Sequence, residues 1–399
     1  MERVEILPVF NSSLFDVAEF LHKWRGIEAE GSFFQQYVHE KALSIEHRLR
    51  WLLLENPIAT EGSPLGYCLR DQLGTIRGLN LTFPAAFLSG DKRLLGLCSG
   101  SYFVESTARP MGFYLFRKYL GSPGYSFFFA ATCNAKSSEL WRKAGGRAVP
   151  NSEMEYFLPL RLDVMIPASV ATKTSSETAL GTSRICGRIA NPIVRLLTRP
   201  SAKLAIEPCQ DWSKLSELSR CHRPANDITS DRSTEFLQWR YGPASPLYPF
   251  SIYLIRDKQG NEGWFCLGNV LRGKQGQIRA SVLLDMIWPR GKMRVRDIFQ
   301  EVLRLASTGS DAIFFRSQPG LDYREYSHWA IPHKLKAPRA FVLIPKGAPS
   351  LPLDSLGCDE SDDIAWGLPW MDARERSDLS VAFGSEANPA RKESEFLSS

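Results

Sequence analysis

Residues 94–120 read LLGLCSGSYFVESTARPMGFYLFRKYL, and this stretch decides the fold predicted for the chain. Its β-forming residues predict a strand that ends at Val104 and is followed by a short loop. From Gly112 onward, apolar side chains recur at the spacing of one helix face, at Phe113, Phe116 and Leu120. A glycine where a strand gives way to a helix lets the backbone approach a ligand closely. The unpaired amides of the first helical turn, with the positive end of the helix dipole, make this junction a candidate anion site.

The residues around this junction define which groups would face an anion. Pro110 has no N–H, so the expected donors are the amides of Met111, Gly112, Phe113 and Tyr114. The guanidinium of Arg109 adds a charged group that could bind the same anion. An ordinary α/β crossover has the same local pattern, so the elements that follow are needed to choose between the two interpretations.

Two further elements follow the junction. Residues 125–132 (YSFFFAAT) form the continuous apolar run expected of a strand that is buried on both faces. Residues 134–146 predict a helix that begins after Asn134 and ends at glycine.

Val104, Arg109 and Gly112 together resemble the pyrophosphate loop of the GNAT superfamily of acetyl-CoA-dependent N-acetyltransferases. The helix that begins after Asn134 resembles the next element of that family, and the resemblance covers residues 4–162. It implies that acetyl-CoA or another acyl-CoA contacts Phe103, Val104, Arg109, Met111, Gly112, Phe113, Tyr114 and Asn134, without a metal ion. The sequence departs from the family at two positions: Tyr114 replaces a small residue, and Trp141 stands where a tyrosine acid is common.

The resemblance also implies catalytic roles. Backbone amides near Tyr102 and Phe103 would polarise the thioester carbonyl, Glu105 would be the general base, and Tyr102 would be the acid. The residues themselves leave alternatives open: Glu105 could be a solvated carboxylate, Asn134 could only cap its helix, and Tyr114 or water could replace Tyr102 as the acid. A nucleophilic Cys98 and a base among His222, His328 and His333 are further alternatives, although an inert thiol and structural histidines are commoner.

Composition places the chain among ordinary globular proteins. It has 399 residues, 44% of them hydrophobic, and a net charge of +6 that is too weak and too dispersed to indicate nucleic-acid binding. The eight cysteines include no C-x-x-C pair, which favours reduced thiols over zinc or disulfides. We see no secretory signal and no apolar run long enough to span a membrane, so we expect a cytoplasmic protein.

The second half of the chain repeats the first. Residues 67–74 (YCLRDQLG) align with residues 253–260 (YLIRDKQG) at an offset of 253 − 67 = 186, and Trp51 aligns with Trp239 at 239 − 51 = 188. The second copy lacks the Arg-x-x-Gly pattern and the Asn-initiated helix. We therefore predict two copies of one α/β unit, of which the first binds the cofactor and the second completes the acceptor site.

We accordingly expect two GNAT-like domains in tandem, each a mixed, strongly twisted sheet flanked by helices. The predicted ranges are 1–165 for the first domain, 166–204 for a linker with its own helix, 205–375 for the second domain and 376–399 for a disordered tail. Basic residues in the linker helix, Arg184, Arg188, Arg195 and Arg199, suggest a membrane-surface or partner helix, or else a helix packed between the domains. Pro192 and Pro200 should break a long helix and favour packing between the domains.

The predicted function is transfer of an acyl group, usually acetyl, from acyl-CoA to an amine on a small molecule or glycan precursor, such as a sugar amine or cell-surface precursor. Two alternatives remain. One is a catalytically silent GNAT-fold scaffold, favoured by Tyr114 and Trp141. The other is a Fem-type aminoacyl transferase, which would need a basic groove for charged tRNA.

Overall fold

The structure, a computed structural model, describes residues 4–25, 42–171, 176–197, 203–223, 228–246, 250–272, 277–318 and 321–345. The first half contains these elements: β1 Val4–Pro8, α1 Leu14–Arg25, α2 Ala42–Leu53, β2 Gly66–Asp71, β3 Ile76–Ser89, β4 Lys92–Val104, α3 Arg109–Leu120, β5 Phe127–Ala130, α4 Ala135–Lys143, β6 Arg147–Ala148 and β7 Met154–Pro159. Two connecting helices follow: α5 Leu162–Ala171 and α6 Glu177–Leu197.

The second half repeats this order of elements. It contains β8 Leu204–Pro208, α7 Trp212–Cys221, β9 Ile228–Ser230, α8 Thr234–Tyr241, β10 Ser251–Asp257, β11 Glu262–Arg272, β12 Ile278–Ile287, α9 Val295–Ala306, β13 Ala312–Phe315, α10 Tyr323–Tyr326, β14 Ile331–Lys334 and β15 Phe341–Leu343.

The strands form two mixed sheets with matching strand orders. The first runs β1-β2-β3-β4-β5-β15-β6, with β9 paired to β3, and the second runs β14-β7-β13-β12-β11-β10-β8. In each sheet the central pair is parallel, β4 with β5 and β12 with β13, and the other pairs are antiparallel. The predicted fold class is confirmed.

The first sheet takes two strands from the second half, β9 and β15, and the second sheet takes one strand from the first half, β7. Strand β7 pairs antiparallel with β13 of the second sheet, and β15 pairs antiparallel with β5 of the first. The strand predicted at residues 153–160 therefore exists, but it does not close its own half. The sheets do not follow the contiguous ranges 1–165 and 205–375, and those boundaries stay a prediction.

The predicted repeat is confirmed in atomic detail at two equivalent hairpin turns. In one turn, the carboxylate of Asp71 accepts hydrogen bonds from the amides of Leu73 and Thr75, and Gly74 has a φ of +78°. In the other, Asp257 accepts from the amides of Gln259 and Asn261, and Gly260 has a φ of +80°. A left-handed glycine closes each turn because other residues rarely adopt that conformation.

A pair of tryptophans joins the two halves. The rings of Trp51 and Trp239 stack with centroids 4.7 Å apart. Each indole N–H donates to the backbone carbonyl of the other tryptophan, at 3.2 Å from Trp51 and 3.1 Å from Trp239. Around this reciprocal pair, one hydrophobic core runs without interruption from helices α1 and α2 to helix α8 and strands β11 and β12.

The region between the halves differs from the predicted linker. Two helices reach into this range where we expected one, because α5 extends to Ala171, and α6 continues through Pro192, where we expected a break. The side chain of Asn191 binds the first turn of α5, accepting from the amide of Leu162 and donating to Asp163, both at 2.8 Å. These contacts help to stabilise α6 beside Pro192, which cannot donate a backbone hydrogen bond. Pro200 and the expected tail at 376–399 lie outside the described residues.

Candidate functional site

The central strands of the first sheet separate where the predicted site begins. The β4–β5 ladder joins Gly96 to Phe127 and ends where Cys98 faces Phe129. Strand β4 then continues to Val104, whereas β5 ends at Ala130. This gap between two parallel strands, which we call the first splay, exposes β4 backbone that β5 no longer covers.

The hydroxyl of Tyr119, on helix α3, holds the two strands together at the last rung before the first splay. It donates to the carbonyl of Leu97 at 2.7 Å and accepts from the amide of Phe129 at 3.1 Å. Tyr119 is fully buried, and burial raises its pKa well above the ordinary value. The hydroxyl therefore stays protonated and satisfies backbone groups that would otherwise be buried without partners.

A β-bulge bends β4 just beyond this point. Leu81 faces Gly100 and Leu79 faces Phe103, so Ser101 and Tyr102 together oppose a single residue of β3. Ser101 has a φ of +50°, a conformation that is uncommon for a residue with a side chain. The bulge bends the end of β4 away from its regular course.

Helix α3 begins at Arg109, three residues earlier than the sequence predicted. A 3-10 turn over Ser106–Ala108 leads into it, and Pro110 lies in its first turn. The amides without a partner in the regular helix ladder are therefore those of Arg109 and Met111, because Phe113 and Tyr114 are too far along the helix. The amides that could bind an anion are therefore closer to the N-terminus than we predicted. The reason is that proline is well suited to the first turn of a helix, so α3 includes Pro110.

The side chains on this helix start are accessible. Arg109 is exposed, and Phe113 and Tyr114 are 44% and 57% exposed. The phenol of Tyr114 points to solvent at a position after the first turn. Whether these residues contact a cofactor stays a prediction.

Gly112 is buried against Tyr102. A Cβ at position 112 would lie 2.7 Å from the hydroxyl oxygen of Tyr102 and 3.4 Å from Cγ2 of Val104. The tyrosine ring also packs edge-on against Phe116 at 6.0 Å. The structure therefore gives a reason for glycine at this position that the sequence did not reveal, namely close approach of a neighbouring side chain.

Tyr102 is the predicted acid, and its environment weakens it as one. Desolvation raises its pKa to about 12. A free cysteine thiol has a pKa of about 8.5. Full transfer of the phenolic proton to a thiolate is therefore unfavourable, but the hydroxyl remains a hydrogen-bond donor.

Glu105, the predicted base, lies at the end of β4 and is only 8% exposed. One carboxylate oxygen lies 3.1 Å from Nη1 of Arg77 and the other 3.7 Å from Nζ of Lys23. The residue is thus a buried ion-pair partner and not the solvated carboxylate considered as the alternative. Its role as base stays a prediction, and that role would require a substrate amine to compete with Arg77.

Two predictions about the following helix can be compared with the structure. Asn134 is confirmed as the N-cap of α4: its side chain accepts from the amide of Ser137, and its own amide donates to Ser137 Oγ, both at 2.9 Å. Trp141 is 2% exposed and packs against Phe116, Tyr119 and Phe341. The indole is part of the core, so no acid stands at that position.

A largely apolar pocket lies on the face of the first sheet opposite α3. The side chains of β5 alternate between two clusters: Phe127 and Phe129 face the pocket side, and Phe128 and Ala130 face α3 and α4. The empty space of about 790 Å³ includes space open to solvent. Among the lining residues are Phe83 and Phe87 of β3, Phe129 and Ala131 at the end of β5, Ala340, and Phe236, Trp239 and Arg240 of α8. The pocket thus reaches the strand end beside the first splay and takes one wall from the second half.

The corresponding space in the second half is filled by charged side chains. The offset between β5 and β13 is 312 − 127 = 185, which places Arg316 at the position of Ala131. Strand pairing likewise places Glu155 at the position of Ala340, because Phe341 faces Ala130 and Tyr156 faces Phe315.

These charged groups form a buried cluster. Arg272 Nη2 donates to Glu155 Oε1 at 2.8 Å. Burial opposes ionisation of Glu155, but the charge of Arg272, with His333 and Arg316, outweighs it and lowers the pKa of the carboxyl. The second copy therefore has ion pairs where the first has an apolar opening.

The second splay, between β12 and β13, is occupied as well. The side-chain amide of Gln318 donates to the carbonyl of Met286 at 2.7 Å and accepts from Arg290 Nη2 at 3.0 Å. The first turn of α9 carries its own carboxylate, Asp297, which lies 3.0 Å from Nζ of Lys203. A carboxylate at a helix start satisfies the positive end of the dipole and repels an incoming phosphate.

Sequence reasoning missed Tyr119, Gln318 and the residues of the pocket. Tyr119 falls on the apolar face of a helix, where a tyrosine does not stand out. Gln318 and the pocket residues come together only through pairing of distant strands. The internal repeat offered a signal, because alanines at 131 and 340 replace charged residues in the other copy.

No group of three or more His, Cys, Asp or Glu among the described residues could hold a metal ion. Cys98 is 2% exposed inside the core, and none of the seven cysteines that the structure describes forms a disulfide. Within the same ranges, no helix is both long and apolar enough to cross a bilayer.

No protein family model and no curated protein sequence matches the chain. Solved structures do match. A protein of unknown function from Enterococcus faecalis, described as a probable N-acyltransferase, has a TM-score of 0.54 and 10% identity, over 86% of this chain and 73% of that one.

N-myristoyltransferase of Saccharomyces cerevisiae is also similar. Its complex with myristoyl-CoA and inhibitors has a TM-score of 0.53 and 10% identity, over 93% of this chain and 87% of that one. A second structure with bound myristoyl-CoA has a TM-score of 0.51 and 9% identity, over 93% and 90%. These similarities identify the fold: the chain consists of two GNAT-like sheets in tandem.

Proposed function

We propose that the chain transfers an acyl group from acyl-CoA to an amine, with the donor bound beside the first splay. The observation that carries the proposal is the contrast between two equivalent junctions. At the first, helix α3 starts with the exposed Arg109 and no carboxylate in its first turn. At the second, Gln318 bridges the strands and Asp297 occupies the helix start.

The donor side uses the start of α3 and the end of β4. The pyrophosphate would accept hydrogen bonds from the first-turn amides and from the guanidinium of Arg109. The thioester carbonyl would meet backbone amides of the bulged segment at Ser101 and Tyr102, where β5 has diverged. Such donors are fixed before the substrate binds, which is what stabilisation of a developing oxyanion requires.

The acceptor side uses the pocket on the opposite face. An acyl group that enters the first splay from the α3 side points towards the end of β5, which also lines the pocket. The amine nitrogen attacks the carbonyl carbon, the C–S bond breaks, and the thiolate leaves on the α3 side. The amine loses a proton to Glu105 in this step, and the departing thiolate is protonated by water.

Tyr102 would act at the leaving sulfur and Glu105 at the attacking amine. Tyr102 would donate a hydrogen bond to the leaving sulfur without losing its proton, because its pKa of about 12 lies far above that of a thiol. Glu105 remains the candidate base, provided that the amine displaces Arg77 from one of its oxygens.

The finer parts of the proposal concern substrates and place. We keep acetyl-CoA as the default donor, a sugar amine or cell-surface precursor as the acceptor class, and the cytoplasm as the location. A silent scaffold and a Fem-type aminoacyl transferase are the alternatives that the experiments below must exclude.

Calorimetric titration of CoA into matched arginine variants tests the donor site. We expect Arg109→Gln to weaken CoA binding by about 10- to 100-fold, because a charged hydrogen bond contributes about 1.5–3 kcal/mol. Arg290→Gln changes an arginine in the loop between β12 and α9 in the second half and should alter affinity less than about twofold. No binding by the wild-type chain, or equal losses in both variants, would refute the proposal.

A second pair of variants tests the acceptor pocket. Ala131→Leu places a larger side chain in the pocket mouth, whereas Thr132→Leu adds the same group at the adjacent, exposed position. Thiol release from acetyl-CoA with a panel of amines supplies the activity. We expect Ala131→Leu to lower kcat/KM for the amine by about tenfold or more and to leave the CoA dissociation constant unchanged. Equal activity in the two variants would show that the acceptor does not bind in this pocket.

A further inference from the structure

A row of exposed aliphatic side chains runs along helix α6, outside the sites described above. Its members and their exposed fractions are Ile185 59%, Ile189 74%, Ile193 57% and Leu196 56%. With 3.6 residues per turn they fall on one side of the helix and span about 17 Å of its length. We call this row the α6 ridge. Isolated exposed aliphatic residues need no explanation, but an aligned row over three turns does.

The opposite side of α6 is fixed against α5, so the ridge cannot turn inward. Gly187 is buried, and a Cβ there would collide with the carbonyl of Leu162. Val194 is 5% exposed on the same side. The hydrogen bonds of Asn191 to the start of α5 set the rotation of the helix about its axis. The ridge therefore faces outward as a fixed property of the fold.

Charge runs beside the ridge. Arg184 and Arg188 are exposed and lie between the ridge and the packed face of the helix. Residues 178–197 contain no Asp or Glu, so neither guanidinium has an acidic neighbour along the helix. A bilayer with anionic lipids has negative headgroups at its surface and apolar acyl chains beneath them. An apolar ridge with arginines along one edge is complementary to such a surface. Long basic side chains can reach towards headgroups while the ridge enters the acyl region.

We propose that the α6 ridge binds the surface of a bilayer that contains anionic phospholipids, with the helix axis parallel to the membrane plane. Two other occupants fit less well. A second copy would bring the arginines of two ridges together without acidic partners. A peptide segment of the same chain would need a groove, and a single convex helix offers no walls.

The test is co-sedimentation of the full-length chain with vesicles. One set contains phosphatidylcholine alone, and the other contains about one third phosphatidylglycerol. We expect binding to the anionic set that weakens with added salt, because each basic residue near such a surface contributes attraction that ions screen. Binding that is equal on both sets, or absent, overturns the proposal.

Two variants on the ridge and two controls make the test specific. The triple variant Ile185→Ser/Ile189→Ser/Ile193→Ser and the double variant Arg184→Gln/Arg188→Gln should each lower the partition coefficient by about tenfold or more. The controls are Leu73→Ser, an 89% exposed leucine in a hairpin turn, and Arg220→Gln, an exposed arginine on α7. Their binding should equal that of the wild type, and a comparable loss in the controls contradicts the assignment.

Two results would show that the α6 ridge binds something other than a membrane. If only a chain that lacks residues 346–399 binds vesicles, that segment covers the ridge and the proposal fails. Sedimentation equilibrium without lipid should show that the triple variant and the wild type have the same mass. A wild-type dimer that the triple variant dissociates would assign the ridge to a second copy.

Discussion

At the scale of single residues, Gly112 has a different explanation from the one that its sequence position suggests. The resemblance to a pyrophosphate loop attributes the glycine to contact with phosphate. The structure places the hydroxyl of Tyr102 at 2.7 Å from where a Cβ would be. Gly112 can be needed both for contact with phosphate and for packing against Tyr102. Removing the hydroxyl of Tyr102 separates the two requirements.

We expect Gly112→Ala to destabilise the wild type, because overpacking typically costs about 1–3 kcal/mol and exceeds the gain of about 1 kcal/mol in helix propensity. In a Tyr102→Phe background the collision is absent, and the alanine should be neutral or stabilising. Urea denaturation of the four proteins gives the coupling free energy. An equal effect in both backgrounds would remove Tyr102 from the explanation.

CoA titration of the double variant then reports the phosphate contact alone: restored stability with lost CoA affinity would show that Gly112 also touches the pyrophosphate.

At the scale of elements, the local residue pattern predicted which segments form strands and helices. It did not predict which elements each of them contacts in the fold. The strand ending at Val104, the buried strand around Phe128 and the helix capped by Asn134 all follow from residue type and spacing. The start of α3 was wrong by three residues, because Pro110 can begin a helix as well as interrupt one. The hydrogen bonds of Tyr119 to β4 and β5 at the last rung before the first splay depend on contacts between separate segments, which periodicity does not encode.

Tyr119 offers the sharpest test at this scale. In Tyr119→Phe the carbonyl of Leu97 and the amide of Phe129 lose their buried partner, which should lower stability by about 1–3 kcal/mol. We also expect weaker CoA binding, because the hydroxyl no longer ties β4 to β5 at the last rung before the first splay. The control is Tyr326→Phe, a 1% exposed tyrosine whose hydroxyl accepts from the amide of Gln318 at 3.1 Å beside the second splay. It should lower stability to a similar extent and leave CoA affinity unchanged. Loss of affinity in both variants would mean that the effect is general destabilisation.

At the scale of the whole molecule, the two copies are one structure. They share the core around the stacked tryptophans, and each sheet contains a strand from the other half. The repeat in the sequence predicted two copies, but not this exchange, because the residue pattern of β7 and β15 does not indicate which sheet each strand joins. The exchange also explains how one copy can lose its binding features: ion pairs such as Glu155–Arg272 can fill its cavity while the shared core holds the fold.

The exchange predicts that a deletion near the C-terminus damages the first half. A chain ending at residue 345 keeps β15, whereas a chain ending at residue 339 loses Phe341, which is fully buried against Trp141. Removing one buried phenylalanine typically costs about 3–5 kcal/mol, a large part of the 5–15 kcal/mol that stabilises a typical protein. We expect the chain ending at 345 to bind CoA and to melt in one transition, and the chain ending at 339 to aggregate or to lose CoA binding.

If the shorter chain is insoluble, Phe341→Ala in the full chain supplies the measurement, with Tyr156→Ala as its counterpart on β7 in the second sheet. Only Phe341→Ala should impair CoA binding beyond what its loss of stability explains. Normal CoA binding by the chain ending at 339 would show that β15 is dispensable and that the first half folds without its borrowed strand.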